Sequence, residues 1–178
     1  MRAIVLIGQR GTGKTTLGAL LADRLGLPFW DSDQVFHREL GCSPGDWIRN
    51  LGEASFRQQE ERVVCRLLRR ILLVPGVLAL GGGAPCSSLT RGWMGRLRQG
   101  TGWVVYLTCS LERALERQRG RAEQEPLLRA ASPREDGARL FAQRHSIYLQ
   151  ASDLLFENDF ASPGTALEAL VSLLGLEV

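Results

Sequence analysis

The residues Gly8-Gln9-Arg10-Gly11-Thr12-Gly13-Lys14-Thr15 satisfy the pattern G-x-x-x-x-G-K-[ST] at every constrained position. Phosphate chemistry accounts for each choice. A nucleotide concentrates several negative charges in a small volume. Glycines let successive backbone N–H groups turn toward them, and a helix N-terminus adds the positive end of its dipole. Lys14 would reach the outer phosphates and the Thr15 hydroxyl would ligate Mg²⁺. Gly11, Thr12, Gly13, Lys14, Thr15 and Thr16 are therefore the candidate nucleotide contacts. Lys14 is also the one lysine in the chain. A compact ammonium fits inside a tight loop where a planar guanidinium does not.

Two further groupings carry chemistry beside such a loop. Asp31 and Asp33 stand two apart, and on an extended backbone both would project to one face. Near a nucleotide and its metal, one carboxylate could serve the metal and the other the acceptor hydroxyl. The alternative is an aspartate that merely caps a helix or turn. Gly81-Gly82-Gly83 costs conformational entropy, so it implies either close backbone approach to a ligand or a tight turn. Arg57 alone reads as a surface arginine. His37 and His145 lack metal-ligand spacing and read as structural or surface residues.

The elements around these groups alternate. Ala3-Ile4-Val5-Leu6-Ile7 is a continuous apolar run suited to a buried parallel strand, and it leads straight into the glycine loop. A helical period follows through Leu17, Leu20, Leu21 and Leu25, stopped by Gly26. Leu27 to Trp30 reads as a second strand ending in the Asp-Ser-Asp, and a helix follows to about Leu40. Ser43-Pro44 opens another helix, ended by Gly52. From Glu53 to about Leu73 a long helix carries Phe56, Val63, Val64, Leu67, Leu68, Ile71 and Leu72 as its apolar stripe. Val77 to Leu80 and Trp103 to Leu107 read as strands, with a helix over Leu89 to Leu97 between them. Ser110 can cap a helix from Leu111 to about Arg119. The stretch 120–131 is polar and arginine-bearing without clear period, a candidate mobile loop. Ser132-Pro133-Arg134-Glu135 is a capping box opening a helix to about Gln150. Leu154 to Phe156 forms a last strand, and Ser162-Pro163 opens a helix to Leu174. This alternation means a parallel sheet covered on both faces. Ligands in such folds gather at the carboxyl ends of strands, so the loop, the aspartates and the triple glycine should meet in one crevice.

Composition narrows the classes. The chain has 178 residues, the size of one domain, and a net charge of +3. That charge is too small, and basic runs with interleaved aromatics too few, to suggest nucleic acid. Cys42, Cys65, Cys86 and Cys109 are widely spaced with no C-x-x-C pair, so reduced and mostly buried thiols in a cytoplasmic protein are expected. No apolar run approaches membrane-spanning length. Trp30, Trp47, Trp93 and Trp103 are expected in the core.

Taken together, the loop at 8–15, Asp31-x-Asp33, Phe56-Arg57, Gly81-Gly82-Gly83, Pro126-Leu127-Leu128 and Arg144 follow one another as in the shikimate kinases. The chain resembles that family over nearly its whole length. The resemblance implies an α/β three-layer sandwich with a five-stranded parallel sheet of order 2-3-1-4-5, the P-loop kinase fold. It implies one domain over 1–178, with a substrate-binding region near 33–61 and a lid near 118–131. It also implies transfer of the γ-phosphate of ATP to the 3-hydroxyl of shikimate, with Mg²⁺ as cofactor, in a cytoplasmic monomer. By position, Asp31 resembles the Mg²⁺-side aspartate beside Thr15. Asp33 resembles the one that binds the substrate hydroxyls and orients or deprotonates the acceptor. Arg57 and Arg144 resemble the pair that grips the shikimate carboxylate, with Glu60 holding Arg57. Gly81 and Gly82 would offer backbone contacts to substrate, while Arg117 and Asn158 would lie on the ATP side. In one place the chain departs from the family: the lid motif Arg-Pro-Leu-Leu is here Glu125-Pro126-Leu127-Leu128. Arg121, four residues earlier, is the first choice of replacement cation, with Arg117 and Arg129 as the alternatives. Two other readings stay open: a related kinase of small molecules, such as gluconate, and a nucleotide-binding protein without turnover.

Overall fold

The computed structural model describes residues 2–100, 102–118 and 133–176. Among them run five strands: β1 (Ala3–Ile7), β2 (Phe29–Asp31), β3 (Val77–Ala79), β4 (Gly102–Thr108) and β5 (Leu154–Glu157). All pair in parallel, in the order β2-β3-β1-β4-β5. The helices are α1 (Lys14–Leu25), α2 (Ser32–Leu40), α3 (Pro44–Leu73), α4 (Ser88–Gln99), α5 (Leu111–Gln118), α6 (Pro133–Ala151) and α7 (Pro163–Leu173).

Strand alternation divides the core in two. From β1, Ala3, Val5 and Ile7 join α2, α3, α4 and α6 in one apolar cluster. Ile4 and Leu6 face the other way, against α1 and α7. A strand buried on both faces must be apolar throughout, which is why β1 has no polar position. The four tryptophans pack against these clusters while staying partly exposed.

Local sequence sets the ends of the elements that matter for the site. Gly13 starts α1 and Gly26 stops it, both in the left-handed region. Ser43 caps α3 through Asp46 N–H at 3.0 Å, with Pro44 in its first turn. Within α3, Gly52 takes φ 82 and ψ 161, so the chain breaks there into two helical segments, as the glycine suggested.

Several expectations need correction. The backbone does not stay extended through the Asp-Ser-Asp: β2 ends at Asp31 and α2 begins at Ser32. Asp31 is the helix cap itself, accepting Asp33 N–H at 2.9 Å and Gln34 N–H at 3.2 Å. Leu72 is exposed, because the helical period carries it past the edge of the buried stripe. The four thiols are free, but none is buried: Cys86 is exposed and the others are half-buried, Cys65 because it stands beside the buried stripe of α3 and not on it. No described helix is long and apolar enough to cross a membrane. The expected loop at 120–131, the Ser132 cap, and with them Arg121 and Glu125 lie outside the described residues.

Candidate functional site

The glycine loop leaves the carboxyl end of β1 and is closely flanked by the segments after β4 and β5. Gly8, Gly11 and Gly13 have φ of 140, 75 and 96, where side chains are strained. Space forbids them as well. A Cβ would stand 2.1 Å from the Leu107 carbonyl oxygen at Gly8, 2.5 Å from that of Ala114 at Gly11, and 2.6 Å from Asn158 Nδ2 at Gly13. Asn158 itself donates to the Thr12 carbonyl at 2.8 Å, tying β5 to the loop. Arg117 donates to the Gly11 carbonyl at 3.3 Å.

Lys14 folds across the loop, its Nζ donating to the Gly8 carbonyl at 2.8 Å and the Gln9 carbonyl at 2.6 Å. Burial lowers its pKa to about 8, against the opposing pull of Asp33 and Asp31. Thr15 Oγ1 donates to Asp31 Oδ2 at 2.7 Å. A hydroxyl and a carboxylate meeting at the foot of a phosphate loop are hard-oxygen donors of the kind that suits Mg²⁺. One aspartate thus serves as both helix cap and candidate metal-side carboxylate, because its two oxygens point to different partners.

A candidate nucleotide-side pocket brings together Gly11, Gly13, Lys14, Thr15, Thr16, Asp31, Arg117 and Asn158. Thr12 is the exception among the candidate nucleotide contacts. It is 3% exposed, and its hydroxyl turns inward to the Gln9 carbonyl at 2.8 Å, so its side chain shapes the loop and does not face the pocket. Phe160 and Pro163, beyond β5, also line this pocket. Nothing in the sequence before Pro163 but its position after a strand end could have suggested them.

A second pocket adjoins the first. Asp33, Arg57, Gly81, Gly82 and Arg144 line it, together with Phe56, Glu60, Gly83 and Arg139. Arg57 donates to Glu60 Oε2 at 2.6 Å and to Glu53 Oε1 at 3.4 Å. Glu60 sits on the otherwise apolar stripe of α3, buried. Burial raises its pKa, and the charges of Arg57 and Arg144 counter that. Asp33 is exposed to the crevice, where both pockets reach it. Desolvation, with the negative charges of Asp31 and Glu60, lifts its pKa to about 7.

The triple glycine has a reason that neither sequence alternative contained. None of the three has positive φ. A Cβ at Gly81 would lie 2.6 Å from Asp33 Oδ1 and 3.0 Å from Glu60 Oε1, and one at Gly83 only 2.1 Å from Arg57 Nη1. Gly81 and Gly83 make room for the charged side chains of the site itself. Ser32 and Tyr148 were missed by the sequence reading. Ser32 Oγ accepts Gly81 N–H at 2.8 Å, and Tyr148 donates to the Gly82 carbonyl at 2.5 Å. Tyr148 lies one turn beyond Arg144 on α6, a spacing that could have drawn attention to it.

Comparison with known proteins agrees with this geometry. Residues 10–174 match the family model described as shikimate kinase. A shikimate kinase of Paramagnetospirillum magneticum is 39% identical over 99% of this chain and 88% of its own length. One from Aeromonas salmonicida is 36% identical over 98% of each. The solved shikimate kinase of Acinetobacter baumannii in complex with shikimate superposes with a TM-score of 0.86 at 32% identity, covering 100% of this chain and 96% of that one. A deoxyadenosine kinase from M. mycoides with bound dATP, at 13% identity and TM-score 0.64, shares the fold alone.

Proposed function

Since this chain belongs to the shikimate kinase family, we propose that it transfers the γ-phosphoryl group of ATP to the 3-hydroxyl of shikimate. The observation that carries the reading is the pair of adjoining pockets with Asp33 on their shared wall. One pocket holds the phosphate loop, and the other holds two arginines. Arginine forks match a carboxylate bidentately, which supports Arg57 and Arg144 as the grip on the substrate's acid group.

In this reading the loop amides and Lys14 hold the phosphates, and Arg57 and Arg144 fix the acceptor with its hydroxyl toward Asp33. Asp33 takes the hydroxyl proton as the acceptor oxygen bonds to the γ-phosphorus and the bridging oxygen departs with ADP. A carboxyl group with pKa about 7 is poised for that exchange near neutral pH. Thr15 and Asp31 would hold Mg²⁺, which neutralises phosphate charge. Catalysis is then positioning plus electrostatics, supplied by groups already in place.

The test is an ATP-consumption assay over shikimate, gluconate and nucleoside monophosphates. Turnover with shikimate alone is expected. Turnover with gluconate, or nucleotide binding with no turnover on any acceptor, would replace the proposal.

A further inference from the structure

The phosphoryl group must cross from one pocket to the other, so the residues common to both linings face its path. Among the described residues these are Arg10, Asp33, Gly81, Gly82 and Gln118. Arg10 is the cation in that set. Lys14 and Arg117 line the nucleotide side only, while Arg57, Arg139 and Arg144 line the acceptor side only. We propose that Arg10, inside the phosphate loop, is a catalytic residue that contacts the phosphoryl group during transfer; this rests on the phosphoryl-transfer reading above.

The backbone at this position is placed for the role. Gln118 on α5 donates to the Arg10 carbonyl at 3.4 Å. Across the passage, a Cβ on Gly82 would stand 3.9 Å from Arg10 N, so the Arg10 backbone adjoins the glycines of the acceptor side. The charge of Arg10 is felt at Lys14, Asp33 and Glu60, groups from both pockets. The motif leaves this position free, so phosphate-loop geometry alone does not require an arginine here. Its chemistry suits the step. As the acceptor oxygen bonds to phosphorus, the bond to the β–γ bridging oxygen breaks with its electron pair left on ADP, and the proton passes to Asp33. The equatorial oxygens of the moving group stay anionic throughout, and a planar guanidinium can donate to more than one of them at once.

The test uses the full chain carrying Arg10→Gln and Arg10→Lys, with far-UV circular dichroism and ADP affinity as folding controls. Arg10→Gln is expected to lower kcat by about 10²–10³-fold, with KM for ATP and shikimate within about 3-fold. Arg10→Lys should fall between, keeping charge but losing the fork, and it stands in if the first variant fails to fold. Independently of turnover, ADP with tetrafluoroaluminate, a mimic of the phosphoryl group in flight, should bind wild type more tightly than ADP alone. Arg10→Gln should lose that increment. A kcat within about 3-fold of wild type, a loss confined to shikimate KM, or an increment absent from wild type or unchanged in the variant would overturn the proposal. An intact, Arg10-dependent increment with no product from shikimate would instead remove the proposed acceptor and leave Arg10 in place.

Discussion

Asp33 carries two opposing demands in one carboxylate. Its pKa of about 7 lies above the ordinary 3.8, so the fold favours its protonated form. Ionising it in the folded protein therefore costs stability. The cost is absent below about pH 4, accrues between pH 4 and 7, and stays constant above. Asp33→Asn should make the protein more stable than wild type above pH 7, with the difference vanishing toward pH 4. Because one side of the carboxylate is solvated, a gain of about 1 kcal/mol is expected, well under the full 1.36 kcal/mol per pKa unit. Urea denaturation at several pH values measures it. The same variant should lose most of its turnover, and wild-type kcat/KM should fall as pH drops below about 7. A pH-independent stability difference would mean Asp33 does not titrate there. Arg57 poses a related question. Its Glu60 partner has a side chain only 7% exposed. Arg57→Ala should cost about 1–3 kcal/mol of stability by stranding that carboxylate. Adding Glu60→Gln should recover most of the stability and none of the shikimate affinity, read by denaturation and by titration. Recovery of both would make the pair purely structural.

At the scale of elements, the site depends on what the β3 turn leaves out. Gly83 has ordinary backbone angles, so alanine fits its conformation but not its space: its Cβ would stand 2.1 Å from Arg57 Nη1. Gly83→Ala should push the guanidinium aside and raise shikimate KM by about 10-fold or more, roughly the 1.4 kcal/mol of one disturbed charged contact. ATP KM should stay within about 2-fold, since the phosphate loop is a separate element. Gly92, within α4, has nothing within 4 Å of a built Cβ. Gly92→Ala should stabilise the protein by about 0.5–1 kcal/mol through helix propensity alone, with both KM values unchanged. If Gly83→Ala behaves like Gly92→Ala, the glycine is not a vacancy for Arg57.

The whole molecule brings three chemistry-bearing segments to the carboxyl ends of neighbouring strands. The phosphate loop follows β1, the aspartates follow β2 and the glycines follow β3, and these strands are neighbours in the order β2-β3-β1. The cations already gathered there bear on the departure at Glu125. Lys14, Arg10 and Arg117 already line the passage and the candidate nucleotide side. Glu125→Arg is expected to change kcat by less than about 3-fold, under 0.7 kcal/mol in barrier. Steady-state kinetics with shikimate checks it. A gain of about 10-fold or more would mean that the cations in place do not suffice.

Much of this was legible without coordinates, for a local reason. The loop, its strand and its helix are contiguous, and their residue types answer to geometry within a few positions: φ above zero at Gly11 and Gly13, a helix stop at Gly26, a cap at Ser43. Alternation of apolar runs with helical periods required a covered parallel sheet, and family resemblance supplied its strand order. Three-dimensional packing decided the rest. That Asp31 caps a helix and meets Thr15, that Thr12 turns inward, and that Gly81 and Gly83 make room for Asp33, Glu60 and Arg57 all depend on residues far apart in the chain. Burial also separates the two site aspartates: Asp31 is 9% exposed and tied up in a cap, while Asp33 faces the crevice among other carboxylates. Sequence named both because an aspartate's type is local. Their division of labour is set by neighbours from β3 and α3, because the energy of a charge depends on everything packed around it.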